Sequence, residues 1–386
     1  MTRLDLVLKG GRILDPGSGV DRVADIGFAD GKVAAIGDRL AGAEERDVAG
    51  SIVVPGLVDL HTHVYWGGTS LGVDAESVAR RSATTTFIDA GSAGPGNFHG
   101  FRRHVIEPSP VRILPYLNVA FPGIFAFSAS VMVGECADLR LLDLRECRRV
   151  AEANRDLLVG IKVRVGKGAG GDSGIAPLDM ALEVADELGL PVMAHLDNPP
   201  PSRREVLSRL RAGDVVTHCF RPFPNAPARA DGQVREEVLE ARERGVVFDI
   251  GHGAGSFGFA SARAMLAAGF LPDVISSDVH VLSIDGPAYD LLVTMSKFLS
   301  LGLGLAQVIR CATAAPAAAV GRPELGTLRA GGIGDAAVLA LEEGQFPYRD
   351  SLGERFTGRT RLVSRGTVLG GKWWHTPSLE ETAHRG

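Results

Sequence analysis

Apolar runs of strand length recur through the middle of the chain. They are Val58–His61, Thr84–Asp89, Val111–Asn118, Leu157–Val163, Pro191–His195, Asp214–His218, Gly245–Ile250 and Asp273–Asp278. Each is nearly continuous rather than alternating, the pattern of strands buried on both faces of a parallel sheet. Helical spacing of apolar residues falls between them at Leu178–Leu188, Arg203–Arg211, Glu236–Arg244 and Ser261–Ala268, and a longer helical stretch, Leu291–Ala319, follows the eighth run. Eight strand units joined by crossovers predict an α/β protein built on a (β/α)8 TIM barrel rather than an open sheet.

The two ends of the chain have a different rhythm. Leu6-Val7-Leu8, Arg12-Ile13-Leu14, Ala24–Phe28 and Lys32–Ile36 are short strand patterns broken by Lys9-Gly10-Gly11, Asp15-Pro16-Gly17 and Asp30-Gly31, the last a hairpin signal. Asp335–Ala340 and Arg361–Leu369 repeat that texture near the other terminus. A small β-sandwich domain assembled from both ends, residues 1–54 and 321–386, is therefore expected around a catalytic barrel of residues 55–320.

Composition adds mostly exclusions. A formal net charge of -5 gives no electrostatic case for nucleic acid or an anionic membrane. The N-terminal stretch Met1–Leu8 carries Asp5 and no cleavage pattern, and no apolar run reaches membrane-spanning length. Cys136, Cys147, Cys219 and Cys311 are scattered without a C-x-x-C. They read as reduced thiols of a cytoplasmic protein, so any metal here would be held by nitrogen and oxygen.

The chemistry sits where those apolar runs stop. Leu57-Val58-Asp59-Leu60 delivers His61 and His63, two apart and on one side if the strand alternates. The fourth run carries Lys162, the fifth ends in His195, the sixth in His218 and the eighth in Asp278. Active sites of such barrels lie at the C-terminal strand ends, and each of these groups is a potential ligand. Lys162, between Ile161 and Val163, is the sharpest clue, because a buried ammonium is costly unless paired or neutral. A neutral amine can take up carbon dioxide to give a carbamate able to bridge two cations. A Schiff-base lysine competes with that reading when Lys162 is taken alone; the four histidines weigh against it.

Together, Pro55-Gly56-Leu57-Val58-Asp59-Leu60-His61-Thr62-His63, Lys162, His195, His218 and Asp278 resemble the amidohydrolase superfamily of metal-dependent hydrolases. Ile161-Lys162-Val163-Arg164, His218-Cys219-Phe220, Phe248–Gly253 and Ser277-Asp278-Val279-His280 are most similar to its dihydroorotase-related amidohydrolase/deacetylase group. The resemblance implies two divalent metal ions, usually zinc. His61, His63 and Asp278 would hold one ion and His195 and His218 the other, with carboxylated Lys162 between them. It also implies hydrolysis of an amide or ester, with Asp278 as the catalytic proton carrier. Acetyl esters of α-hydroxy acids and N-acyl amino acids are the substrates it suggests. A cyclic amidohydrolase of the dihydroorotase or hydantoinase kind shares every ligand and is the first alternative. A nucleobase deaminase would want a glutamate soon after His195, where Leu196-Asp197-Asn198-Pro199 stands. A non-catalytic scaffold would have shed ligands.

Substrate contacts are harder to read. Arg164 could pair with a substrate carboxylate or make a salt bridge facing outward. Tyr116 and Asn118 share one side of the third run, and His252 and His280 lie on loops next to the ligands. All five are candidate substrate-binding residues. Asp59 and Asp89 suit partners of the ligand histidines rather than catalysts. No role is assigned to His99, His104, His375 or His384. The expected partner is a small molecule carrying a carboxylate, with a homo-oligomer open.

Overall fold

A computed structural model describes residues 3–378; His384 lies outside that range. Two sheets organise the chain. The first takes its strands from both ends, in the order Lys372–His375, Arg355–Leu369, Ala336–Arg349, Ile52–Pro55, Leu4–Asp15, Val20–Ala29, Lys32–Gly37. Gly42–Asp47 pairs beside Leu4–Asp15. Ile52–Pro55 is the link, running parallel to Arg12-Ile13 and antiparallel to Ala336–Leu339. The Asp30-Gly31 hairpin forms with both residues at positive φ (50° and 74°), as the twist of a two-residue turn requires.

The second sheet is parallel, and its seven strands follow one another in chain order: Leu57–Thr62, Thr84–Ala90, Arg112–Asn118, Gly160–Val165, Val192–Leu196, Val215-Val216 and Val247-Phe248. The eighth apolar run forms no full strand. Val274 within it still bridges to Asp249, one residue past Val247-Phe248, and Val279 just after it bridges to Thr62 of the first strand, so the sheet is curled. The chain crosses from the first sheet to the second at Gly56, where a Cβ would stand 2.2 Å from Thr85 Oγ1.

Helices cover the curled sheet. Ala176–Leu188 starts with proline in its first turn and stops at Gly189 in the left-handed region. Arg203–Leu207 opens on a capping box of Ser202 and Glu205 and is shorter than the pattern suggests. The stretch Leu291–Ala319 is three helices, Leu291–Ser300, Leu305–Cys311 and Ala314–Ala319. Gly302 at φ 103° causes the first break. On the concave side, Val58, Leu60, Ile88, Leu114, Tyr116, Met193, Val215 and Val274 pack with Ala317 and Leu325 into an apolar cluster. His61, His63, His195, His218 and Asp278 stand beyond this cluster, at or just past the C-terminal ends of the strands. No helix among the described residues is long and apolar enough to cross a membrane.

Candidate metal centre and active site

Simple alternation from Val58 and Leu60 would put Thr62, not His61, on their side. A register shift between Asp59 and Thr62 changes which side the histidines take. His61 and His63 end up with ring centroids 5.4 Å apart. Each ring is fixed by its Nδ1. His61 Nδ1 meets Thr217 Oγ1 at 2.7 Å, and that hydroxyl donates to Asp249 Oδ2 at 2.7 Å. The hydroxyl proton is thus committed, so His61 must donate and its Nε2 carries the lone pair. His63 Nδ1 likewise meets Ser92 Oγ at 2.9 Å, with Ser92 bonded on to Asp89. Both Nε2 atoms point at Asp278 Oδ1, at 3.4 and 3.3 Å.

A second pair sits beside the first. His218 Nδ1 donates to the Gly251 carbonyl at 2.6 Å, which leaves its Nε2 to meet His195 Nδ1 at 2.7 Å. The His61 and His218 rings are 5.1 Å apart. His61, His218 and Asp278 offer ligand atoms all within 4.8 Å of one another, a set able to hold a metal ion. Burial holds all four imidazoles neutral, pushing His63 down to about 3 and the other three well below their usual range. Neutral imidazole is the ligating form.

Lys162 lies in the middle of its strand rather than at its end, fully buried. Its Nζ has no hydrogen-bond partner. Burial lowers its pKa to about 7. The stem fits only because Gly91, at φ 78°, has no side chain: a Cβ there would be 2.5 Å from Lys162 Cβ. Glycine serves Asp278 too. A Cβ on Gly253, at φ 54°, would fall 2.2 Å from Asp278 Oδ2. Asp278 itself (φ 48°) and His218 (φ 62°) hold left-handed backbone, a strain found at sites whose surroundings enforce it. Burial raises the Asp278 carboxyl to about 6. His61, His63, His195, His218 and Asp278 face a cavity of about 230 Å³ whose other walls include Leu71, Ile124, Phe127 and Met132.

Residues 52–373 match the model of the amidohydrolase family. The chain belongs to that family. It is 36% identical over 344 residues to a deacetylase, Atu3266, of Agrobacterium fabrum, covering 88% of this chain and 84% of that one. A crystal structure described as a dihydroorotase superposes with a TM-score of 0.88 at 34% identity, over 97% of this chain and 98% of the other. One described as an adenine deaminase gives 0.89 at 28%, over 97% and 100%.

In this amidohydrolase not every candidate faces the cavity. Tyr116 is buried in the apolar cluster beneath the site. Asn118 spends its amide on backbone, donating to the Gly91 carbonyl and accepting from the Ala120 N–H. His252 turns away, stacked on Phe257 at 4.6 Å with its Nε2 accepting from Lys297 at 2.7 Å. Those three expectations fail because sharing a strand side or a loop does not fix which way a side chain leaves it. Arg164 does line the cavity, but its guanidinium is already forked onto Glu135 at 2.8 and 2.6 Å, so the salt bridge faces inward. His280 lines the cavity as expected. Its Nδ1 accepts from the Leu282 N–H at 3.1 Å, leaving the proton on Nε2. Asp59 braces the loop before Asp278, accepting from the Ser277 N–H and hydroxyl. Sequence reasoning missed Thr217, Ser92 and Asp249, and the hydroxyl immediately before His218 was the available signal.

Proposed function

We propose that this amidohydrolase removes an acyl group, acetyl foremost, from an ester or amide of a small molecule. The bridges from residues 273–279 to both outer strands support a closed (β/α)8 barrel, with its limits near residues 55 and 320. The observation that carries the functional reading is the orphaned, fully buried Lys162 amine amid converging imidazole lone pairs. A buried amine without a partner is unfavourable, and converting it to a carbamate would add two anionic oxygen donors to the four imidazoles and the one carboxylate of Asp278. The donor set fits two divalent ions, zinc foremost. His61, His63 and Asp278 would hold one, His195 and His218 the other, with carboxylated Lys162 shared.

Such ions, when bound, polarise an acyl carbonyl and make water acidic enough to attack at neutral pH. The chain supplies the rest. Asp278, raised toward neutrality, takes the proton of the attacking water and returns it to the leaving oxygen or nitrogen. His280 presents its Nε2–H to the cavity as an orienting donor. Thr217 with Asp249, and Ser92 with Asp89, keep His61 and His63 in the ligating tautomer. Leu71, Ile124, Phe127 and Met132 keep solvent from the reacting centre.

The similarity to the structure described as a dihydroorotase favours a second reading, opening of a cyclic amide by the same groups. A panel of acyl esters of hydroxy acids, N-acyl amino acids and cyclic ureides, assayed with zinc-loaded protein, separates the two. Turnover of the acyl compounds is expected; turnover of the cyclic ureides alone overturns the first reading.

A further inference from the structure

The cavity holds two arginines whose circumstances differ. Arg164 is neutralised by Glu135 in a closed, buried fork. Arg221 is not. It lies three residues beyond His218, and its N–H donates to the His218 carbonyl at 3.0 Å while its own carbonyl accepts from the Ser261 hydroxyl. Its backbone is thus tied to a ligand-bearing turn. Its guanidinium makes one side-chain hydrogen bond, Nη1 to Ser256 Oγ at 3.0 Å, and has no ion-pair partner among the described residues. The nearby carboxylate of Asp197 is occupied by the Gly168 and Ala169 N–H groups, and Asp278 faces the histidines. A guanidinium has five donors in a rigid fork and does not give up its charge. With four donors bonded to no other side chain in a cavity also lined by apolar Phe127 and Met132, it is complemented by an anion that arrives with the ligand.

We propose that Arg221 binds a carboxylate of the substrate, and that this contact makes acyl esters or amides of small carboxylic acids the preferred class. The proposal rests on the hydrolase reading above and names the specificity residue of that site. The test compares an acylated hydroxy acid with its neutral carboxamide analogue on zinc-loaded wild type, Arg221→Met, Arg221→Lys and Arg164→Met. For Arg221→Met, kcat/KM should fall about 100-fold on the acid, the scale of removing one partner of a desolvated charge pair, and less than about threefold on the amide. Arg221→Lys should restore part of the preference. Equal losses on both compounds, or a selective loss in Arg164→Met instead, overturn the assignment. Calorimetric binding of phenylacetate provides a readout independent of turnover, and at least about 10-fold weakening in Arg221→Met is expected. An unchanged Kd sinks the Arg221 proposal whatever the enzyme hydrolyses. Arg221-dependent binding without turnover of any panel compound would retain this site and reject the hydrolase reading.

Discussion

Lys162 and Lys297 are both fully buried, and burial lowers both to about 7. Their surroundings are opposite. Lys297 Nζ donates to His252 Nε2 at 2.7 Å and to the carbonyls of Pro287 and Arg349 at 2.7 and 2.8 Å. Every ammonium proton has an acceptor, and the lysine ties the Leu291–Ser300 helix to the loop behind Asp278 and to the end of the Ala336–Arg349 strand. Lys162 Nζ has no acceptor at all, although imidazoles and Asp278 surround it. One site is finished as a structural bond network; the other leaves a buried amine without a hydrogen-bond partner. Equal burial with unequal satisfaction distinguishes a structural lysine from a reactive one.

Substitution breaks the comparison most strongly at Lys162. Lys162→Met should cut kcat by at least about 1000-fold, since it removes the group proposed as the shared ligand for metal-assisted attack, while changing the thermal midpoint little. Activity within tenfold of wild type in steady-state assays would refute a bridging role. Lys297→Met should do the reverse. It strands three buried acceptors, each worth roughly 1–3 kcal/mol, so urea denaturation should show a loss of about 3 kcal/mol or more, with metal content per folded chain preserved. A fully stable variant would mean the network is not structural.

The smallest expected effect is on pH dependence. Both lysines have folded values near 7 against about 10.4 in an unfolded chain. Between those values the unfolded state binds more protons, so the stability of metal-free protein rises with pH across that window. Each single Lys→Met variant should show a shallower rise in denaturation midpoint. Loading with zinc and bicarbonate should extend the Lys162 share below about pH 7, because the loaded folded state no longer takes up that proton while the unfolded chain still does, and leave the Lys297 share in place.

Much of this was legible in the sequence because ligand chemistry puts unusual residues in buried strands. Histidine after Leu57–Leu60, after Pro191–Ala194 and after Val215–Thr217, and a lysine between Ile161 and Val163, stand out against apolar neighbours. The terminal sheet was legible from its glycine turns. What could not be read were contacts between distant parts of the chain. Glu135 lies 29 residues from the Arg164 it occupies, and Thr217 lies 156 residues from the His61 it orients. His252 stands in a loop of suitable composition, yet Lys297 and Phe257 draw it away from the cavity. The bulge that aims His61 was equally hidden, because period-two alternation assumes an unbroken register.

The central claim is that Lys162 is carboxylated between two ions. Carbon-13 NMR of zinc-loaded protein equilibrated with labelled bicarbonate tests it directly, alongside elemental analysis of the same sample. The account predicts one carbamate carbon and two metal ions per chain, with the resonance absent from Lys162→Met. Fully active protein with a free Lys162 amine would contradict it.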